Sequence, residues 1–270
     1  MQATDILNIT RKDNVARITL TRPAARNSLS LEMLARLRGA VDELGHDATT
    51  HVIVLAAEGP AFCAGHDLKE LTAARAAEDA GREFFDETMQ SCAALMQAIV
   101  TCPKPVIASV QGIATAAGCQ LVASCDLAIA SNAAKFATPG VNIGLFCSTP
   151  MVALSRNVTR KQAMKMLLTG ELIDAAEAER IGLVNDVVPG EQLEEATTAL
   201  AAQIAAKAPA TLKIGKEAFY RQLEMPLAQA YEYTAEVMVM NMLDADAREG
   251  IGAFVEKRRP QWRPLDPGEA

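Results

Sequence analysis

Four apolar runs of strand length, separated by stretches with helical periodicity, constrain the fold of this chain most strongly. The runs cover residues 51–57, 105–110, 126–130 and 183–188. Continuous apolar runs of this length are typical of strands that are buried on both faces, as in parallel sheets covered by helices. The alternation of such runs with helical stretches therefore predicts an α/β fold.

One alternating segment and several helical patterns complete this prediction. Residues 16–21 alternate apolar and polar side chains, as a half-buried strand does. Ser30 can cap a helix whose apolar stripe runs between Leu31 and Leu44. Further helices are predicted near 83–100, 159–170 and 174–182, and residues 191–259 are almost entirely helical in pattern. We therefore predict a core of residues 1–190 and a C-terminal helical region of residues 191–270.

Charge and hydropathy exclude several classes of function. The 270 residues carry a net charge of −7 and no long basic run, so a nucleic-acid binder is not expected. Polar residues interrupt the most apolar region, 106–130, which argues against a membrane span. Because residues 1–11 lack both a basic start and an apolar run, they do not resemble a secretory signal, and we expect a soluble cytoplasmic protein.

The six cysteines form no C-x-x-C pair, and the chain has only three histidines, His46, His51 and His66. This pattern argues against a bound metal. Without a secretory signal, the cysteines are better explained as small buried apolar residues than as a disulfide framework.

Two strand-to-helix junctions are the candidate sites for chemistry. They cover residues 61–70 and 111–121, and both are rich in glycine and alanine. The free main-chain N–H groups of a first helical turn stabilise developing negative charge, so two such donors can form an oxyanion hole. The alternative is close packing of helix against strand, which from spacing alone explains the small residues at least as well.

Six ordered sequence blocks resemble the signatures of the crotonase (enoyl-CoA hydratase/isomerase) superfamily. They are Arg22-Pro-x-x-x-Asn27-Ser-Leu29, Phe62-x-Ala-Gly65-His-Asp67-Leu, Gly112-x-Ala-x-Ala-Ala-Gly118-x-x-Leu121, Cys125-Asp126, Phe136-x-x-Pro139-x-x-x-x-Gly144 and Ala253-Phe-Val-Glu-Lys-Arg258. The resemblance extends over essentially the whole chain. It implies a spiral of ββα units followed by C-terminal helices that assemble homotrimers, often paired into hexamers.

The resemblance also implies an acyl-CoA thioester as substrate, with coenzyme A as part of it and no separate cofactor, in the lyase and isomerase chemistry of fatty acid metabolism. By matching positions, the N–H groups of His66 and Ala117 would form the oxyanion hole. Asp67 and Gln120 are the further catalytic candidates. The substrate-binding candidates are Ala64, Gly65, Lys69, Gly118, Gly140, Asn142 and Lys257. Ala64 would lie near the adenine, and the two lysines near the phosphates.

The sequence departs from the family pattern at the positions that manage protons. Family hydratases have two glutamates where this chain has Gln120 and Gly140, and neither replacement can transfer a proton. Ordinary hydration is therefore doubtful. In addition, Ala116 and Ala117 replace a usual pair of glycines, which keeps the N–H donors but narrows the hole.

Several alternatives remain open. The chain could catalyse enolate chemistry on an acyl-CoA, and its Gly-His-Asp string also resembles malonyl-CoA-type decarboxylases. It could instead bind acyl-CoA without catalysis. A thioester hydrolase using Cys147 or His66 as nucleophile or base is a weaker third hypothesis, because no triad is evident. Asp67 is explained at least as well by capping a helix as by catalysis.

Overall fold

The computed structural model describes residues 6–264 and contains two sheets surrounded by helices. A six-stranded sheet has the order β1-β2-β3-β5-β7-β10, and a four-stranded sheet has the order β4-β6-β8-β9. The strands are β1 Leu7–Lys12, β2 Val15–Leu20, β3 Val52–Ala57, β4 Ala61–Cys63, β5 Val106–Val110, β6 Ile113–Thr115, β7 Leu127–Ser131, β8 Lys135–Ala137, β9 Ile173–Asp174 and β10 Asp186–Val188. Among these strands of the described residues, only the β1/β2 and β8/β9 pairs are antiparallel. The predicted α/β class is confirmed.

The helices occupy the connections between the strands and the C-terminal region. They are α1 Leu31–Gly45, α2 Leu68–Ala74, α3 Arg82–Thr101, α4 Ala117–Ser124, α5 Pro150–Asn157, α6 Arg160–Thr169, α7 Ala175–Arg180, α8 Leu193–Ala205, α9 Pro209–Leu223, α10 Leu227–Leu243 and α11 Ala245–Val255. The predicted Ser30 cap is present, since its hydroxyl accepts a hydrogen bond from Met33 N at 3.2 Å. Residues 1–5 and 265–270 of the two predicted regions lie outside the described residues.

Strand β3 shows why the predicted central strands are continuously apolar. Ile53 and Leu55 face the large core, which also contains the buried stripes of α1 and α3. Val52 and Val54 face the opposite side, where they pack with Ala201 of α8. The strand is therefore buried on both faces, and alternation of polar with apolar residues is absent because neither face meets water.

One predicted strand is shorter than its apolar run. We expected a strand over 183–188, but β10 begins only at Asp186. Gly182 has a φ of +84°, and Leu183 N donates to Ala178 O at 2.9 Å, which closes the end of α7. Leu183 and Val184 are buried as the apolar contacts that accompany such a helix end, and not as ladder residues.

A partly buried ion pair attaches the C-terminal helices to the core. Asp126 accepts hydrogen bonds from Lys216 Nζ at 2.7 Å, from Tyr220 OH at 2.9 Å and from Val106 N at 2.7 Å. Lys216 also donates to the carbonyl oxygens of Ile99 and Lys104. The carboxylate of the Cys125-Asp126 block therefore fastens α9 to the edge of the large sheet, a structural role.

Candidate active site

Three parallel strands of the small sheet end at one edge, and the residues that follow them form the candidate site. Cys63 pairs with Ala114, and Thr115 pairs with Ala137, so β4, β6 and β8 lie side by side. Ligands of α/β proteins commonly bind beyond the carboxyl ends of parallel strands. The residues in this place are Ala64, Gly65, His66, Ala116, Ala117 and Thr138.

The two junctions singled out by the sequence meet at this edge. A Cβ atom built on Gly65 would lie 3.0 Å from the Cβ of Ala116 and 3.4 Å from the nitrogen of Ala117. Gly65 has a φ of +94°, so a side chain is disfavoured there by both the conformation and the space. The junction after β4 therefore passes directly beside the first turn of α4.

His66 supplies the first candidate N–H donor. Leu29 donates to Gly65 O at 2.8 Å and accepts from Asp67 N at 3.3 Å, which makes a parallel bridge opposite His66. In such a bridge the middle residue turns its own N–H away from the partner strand. Outside regular helices and strands, no main-chain hydrogen bond within residues 6–264 has His66 N as donor.

Ala117 supplies the second donor, because it is the first residue of α4 and its N–H has no acceptor in the preceding turn. Ala116 N donates to Ala137 O at 2.9 Å and holds Ala116 at a φ of +51°, a strained value for a residue with a side chain. A Cβ on Gly118 would lie 2.0 Å from Cys63 O. The helix can begin this close to β4 only because residue 118 is glycine.

Within residues 6–264, neither ring nitrogen of His66 has a hydrogen-bond partner, and both nitrogens are buried. Burial lowers the pKa of His66 below its usual value, and the smaller influence of the Leu29 main chain acts in the opposite direction. The ring is therefore neutral at pH 7. Thr138 is fully buried, and its hydroxyl likewise has no partner within the described residues.

Gln120 and Gly140, the positions at which the resemblance implies the glutamates of family hydratases, are tightly packed. Gln120 is buried, and its Oε1 lies 3.8 Å from the thiol of Cys92. Gly140 N donates to Cys147 Sγ at 3.4 Å. A Cβ on Gly140 would lie 2.8 Å from Leu145 O, so this backbone leaves no room for a side chain.

Asp67 caps α2, as the structural alternative predicted. Its carboxylate accepts from Lys69 N at 3.0 Å and from Ser28 Oγ at 3.1 Å. The guanidinium of Arg22 lies 3.8 Å away. Both carboxylate oxygens are therefore engaged in holding the start of α2 against the 22–30 loop.

The remaining candidates are dispersed. The side chain of Asn142 is exposed, and its Nδ2 contacts Gly170 O at 3.4 Å, at the end of α6. Lys69 on α2 and Lys257 after α11 are both exposed. Cys147 is buried, and burial raises the pKa of its thiol, which disfavours the thiolate that a nucleophile needs. All six cysteines are buried and unpaired, as the sequence predicted.

Thr138 is the site residue that sequence reasoning missed. It lies at one of the unspecified positions of the Phe136-x-x-Pro139 block, so the motif gave it no weight. Its position directly after β8 could have identified it, because the residues after β4 and β6 were already candidates. That reasoning requires knowing that β8 lies beside β6. Strands of only three residues carry too little sequence pattern to show which strands are neighbours.

Comparison with known proteins decides the family. The family model described as enoyl-CoA hydratase/isomerase matches residues 10–264. The chain belongs to the enoyl-CoA hydratase/isomerase family. Among curated relatives, the "Enoyl-CoA hydratase domain-containing protein 3, mitochondrial" of Rattus norvegicus is 50% identical over 93% of this chain and 82% of its own length. The "Probable enoyl-CoA hydratase" of Rhizobium meliloti is 34% identical over 96% and 98%.

Solved structures of this family superpose on the whole fold. An enoyl-CoA hydratase from Mycobacterium smegmatis has a TM-score of 0.92 and 50% identity over 96% of this chain and 99% of its own. The human enoyl-CoA hydratase domain-containing protein 3 has a TM-score of 0.91 and 46% identity over 96% and 100%. The crotonase resemblance and the predicted fold are thus confirmed.

The comparisons correct the expected cellular location. The sequence-based expectation of a cytoplasmic protein rested on residues 1–11, and it is wrong because similar relatives from rat and human are named mitochondrial. Absence of a secretory signal does not distinguish the cytoplasm from an organelle.

Within residues 6–264, no helix has the length and apolarity needed to cross a membrane. In the same range, no group of three or more His, Cys, Asp or Glu side chains is arranged to hold a metal ion.

Proposed function

We propose that this family member binds an acyl-CoA thioester and polarises its carbonyl through the N–H groups of His66 and Ala117. The observation that supports this is the adjacency of the two junctions at the edge of the small sheet, with neither N–H spent on a main-chain acceptor. Two such donors stabilise an enolate oxygen better than a neutral carbonyl, which lowers the barrier to chemistry at the α-carbon. Ala64 and Gly65 would line the approach of the thioester.

The proposed chemistry does not include ordinary hydration. Gln120 stays neutral and Gly140 has no side chain, so neither can activate water or move the α-proton. Isomerisation of an enoyl-CoA, or decarboxylation of a malonyl-type thioester, would use the same two donors. Decarboxylation forms the enolate by loss of CO₂ and so needs no strong base, which suits a site whose one imidazole is buried and neutral.

Binding without catalysis is the second candidate. It is favoured by the packing at Gly140, where the carbonyl of Leu145 and the thiol of Cys147 fill the volume that a catalytic side chain would need. A hydrolase that uses Cys147 is disfavoured, because burial raises the pKa of that thiol.

Vibrational spectroscopy of a bound thioester tests the proposal without requiring turnover. Butyryl-CoA labelled with ¹³C at the thioester carbonyl should show a carbonyl stretch at lower frequency when bound than when free. A parallel assay would follow crotonyl-, 3-enoyl- and malonyl-CoA by mass spectrometry. A lowered frequency with a product supports the enzyme, and a lowered frequency with no product supports the binding protein. An unchanged frequency in a saturated complex would refute the oxyanion hole.

Lys69 and Lys257, both exposed, are proposed contacts of the CoA phosphates.

The chain is also proposed to form a homotrimer or a pair of trimers. The observation that supports this assembly is the apolar surface of the last helices, where Leu227 is 75% and Phe254 85% exposed. Apolar side chains exposed to this extent are typical of protein interfaces. Light scattering after size exclusion should give three or six times 28.7 kDa, and a monomer would contradict the assembly.

A further inference from the structure

Asn27 is a fully buried residue whose side-chain amide makes three hydrogen bonds to the main chain. Its Nδ2 donates to Glu58 O at 2.9 Å and to Ala61 O at 2.8 Å. Its Oδ1 accepts from Arg22 N at 2.9 Å. Glu58 follows β3 and Ala61 begins β4. The amide therefore joins the turn between these two strands to the loop of residues 22–29.

This 22–29 loop has a strained backbone at the same point. Arg26 and Asn27 both have a φ of +52°, a left-handed value that residues with side chains seldom adopt. Two such residues in succession cost free energy, so the surrounding contacts must hold them in this conformation. The three hydrogen bonds of the Asn27 amide are contacts of this kind.

The 22–29 loop also orders the segment that contains the first proposed oxyanion donor, His66. Three main-chain hydrogen bonds join the loop to this segment, namely Ala64 N to Arg26 O at 3.1 Å, Leu29 N to Gly65 O at 2.8 Å and Asp67 N to Leu29 O at 3.3 Å. They fix the main chain before and after His66, whose own N–H takes no part in them. The direction of the His66 N–H therefore depends on where the loop lies.

We infer that Asn27 is a positioning residue, whose amide sets the direction of the His66 N–H by holding the 22–29 loop against residues 64–67. An oxyanion donor must point to the place where the negative charge develops, and hydrogen bonds weaken steeply when they lengthen or bend. This inference rests on the proposed function and deepens it, because it states what fixes one of the two donors.

The carbonyl stretch of bound ¹³C-butyryl-CoA measures this positioning separately from stability. Asn27→Gly permits the left-handed backbone but removes the amide. We expect the lowering of the bound carbonyl frequency to shrink by about half or more, since one of the two donors is misdirected. The dissociation constant, measured by calorimetry, should rise less than about threefold, because a donor aimed at the developing charge contributes little to ground-state binding. Asn27→Asp has nearly the same shape, keeps the acceptor for Arg22 N and lacks the Nδ2 donors, so it provides the same measurement if Asn27→Gly does not fold.

Asn157→Ala is the matched control, because the Asn157 amide also joins two main-chain carbonyls, with Nδ2 donating to Ala123 O and to Ala153 O at 2.8 Å each. It should lower the urea-unfolding midpoint, as the Asn27 variants do, and leave the bound carbonyl frequency unchanged. An undiminished frequency change in the Asn27 variants, or an equal loss in Asn157→Ala, would overturn the inference while the proposed function stands. If the frequency did not change in the saturated unmodified protein, the oxyanion hole and this inference would both be wrong.

Discussion

The two sides of the candidate site differ in which part of the chain would perform the chemistry. On one side, His66 and Ala117 lie at the same edge of the small sheet, and within the described residues neither main-chain N–H group has a main-chain acceptor. On the other side are Gln120 and Gly140, at which the resemblance implies the glutamates of family hydratases, and neither residue can exchange a proton. Carbonyl polarisation on the first side would depend on backbone geometry, whereas proton transfer on the second side would depend on side chains.

Under the proposed function, this difference explains how one side of the site can have its donors while the other side has no acid or base. Replacing glycine by alanine at 116 and 117 preserves both N–H groups, because every residue except proline has one. Replacing glutamate by glutamine or glycine removes the titrating group altogether. A family member can therefore keep carbonyl polarisation while its proton chemistry changes.

The largest expected effect comes from removing one donor. Ala117→Pro deletes the N–H at the first position of α4, and we expect a loss of roughly 10²–10³-fold in the rate of any enolate reaction, about 3 kcal/mol of transition-state stabilisation. The carbonyl stretch of bound ¹³C-butyryl-CoA should return toward its free value. Ala245→Pro is the control, since proline is tolerated at the first position of a helix and Ala245 is the exposed first residue of α11. Unaltered kinetics in Ala117→Pro would remove Ala117 from the hole.

The next effect concerns the close approach of Gly118, at the start of α4, to the carbonyl oxygen of Cys63. Gly118→Ala would place a methyl group 2.0 Å from Cys63 O, and we expect about 3 kcal/mol of destabilisation, measured by urea unfolding. Gly39→Ala is the matched control, because residue 39 is exposed on α1 with no atom within 4 Å of the added methyl. It should stabilise the protein by about 0.5–1 kcal/mol. Similar unfolding midpoints for the two variants would show that the backbone around residue 118 moves to accommodate the added methyl group at little cost in stability.

The sequence predicts the long elements of the fold well and the small sheet poorly. Helix α1 was specified by the Ser30 cap and its apolar stripe, and β3 by its apolar run. Strands β4, β6 and β8 have three residues each, too few to show a period of two. Strand β1 was also missed, although it pairs with β2 along its whole length.

For the site, the sequence located the two junctions because their glycines and alanines form ordered blocks with a family resemblance. It could not show that Gly140 is closed by the carbonyl of Leu145, since that contact depends on the path of the 140–147 loop. The binding role that the resemblance implies for Asn142 stays a prediction, and in the structure its amide donates to Gly170 O at 3.4 Å. Residue types near a motif do not determine which way each side chain turns.

The third prediction concerns a variant with glutamates at positions 120 and 140. Gln120→Glu combined with Gly140→Glu restores both carboxylates in sequence, but the second side chain would begin 2.8 Å from Leu145 O. We expect the double variant to lose about 1–3 kcal/mol of stability and to show no efficient hydration of crotonyl-CoA, followed by its absorbance and product analysis. Gln120→Glu alone separates the two effects, since it adds no atoms. Efficient hydration by the double variant would show that the 140–147 loop opens readily.

The smallest predicted effect is the pH dependence that His66 adds to stability. Burial lowers the pKa of His66 in the folded protein, so below the unfolded-state value near 6.5 the unfolded chain binds more protons than the folded one. The free energy of unfolding should therefore decrease as the pH falls from 8 to 5. His66→Gln should reduce this acid loss, whereas His46→Gln, at the exposed end of α1, should retain it. If the free energies of unfolding of the unmodified protein and of His66→Gln changed with pH in the same way across this range, the His66 ring would gain a proton at no cost in stability. The two unpartnered nitrogens would then have to be solvated, and the site would be open to water even without a ligand.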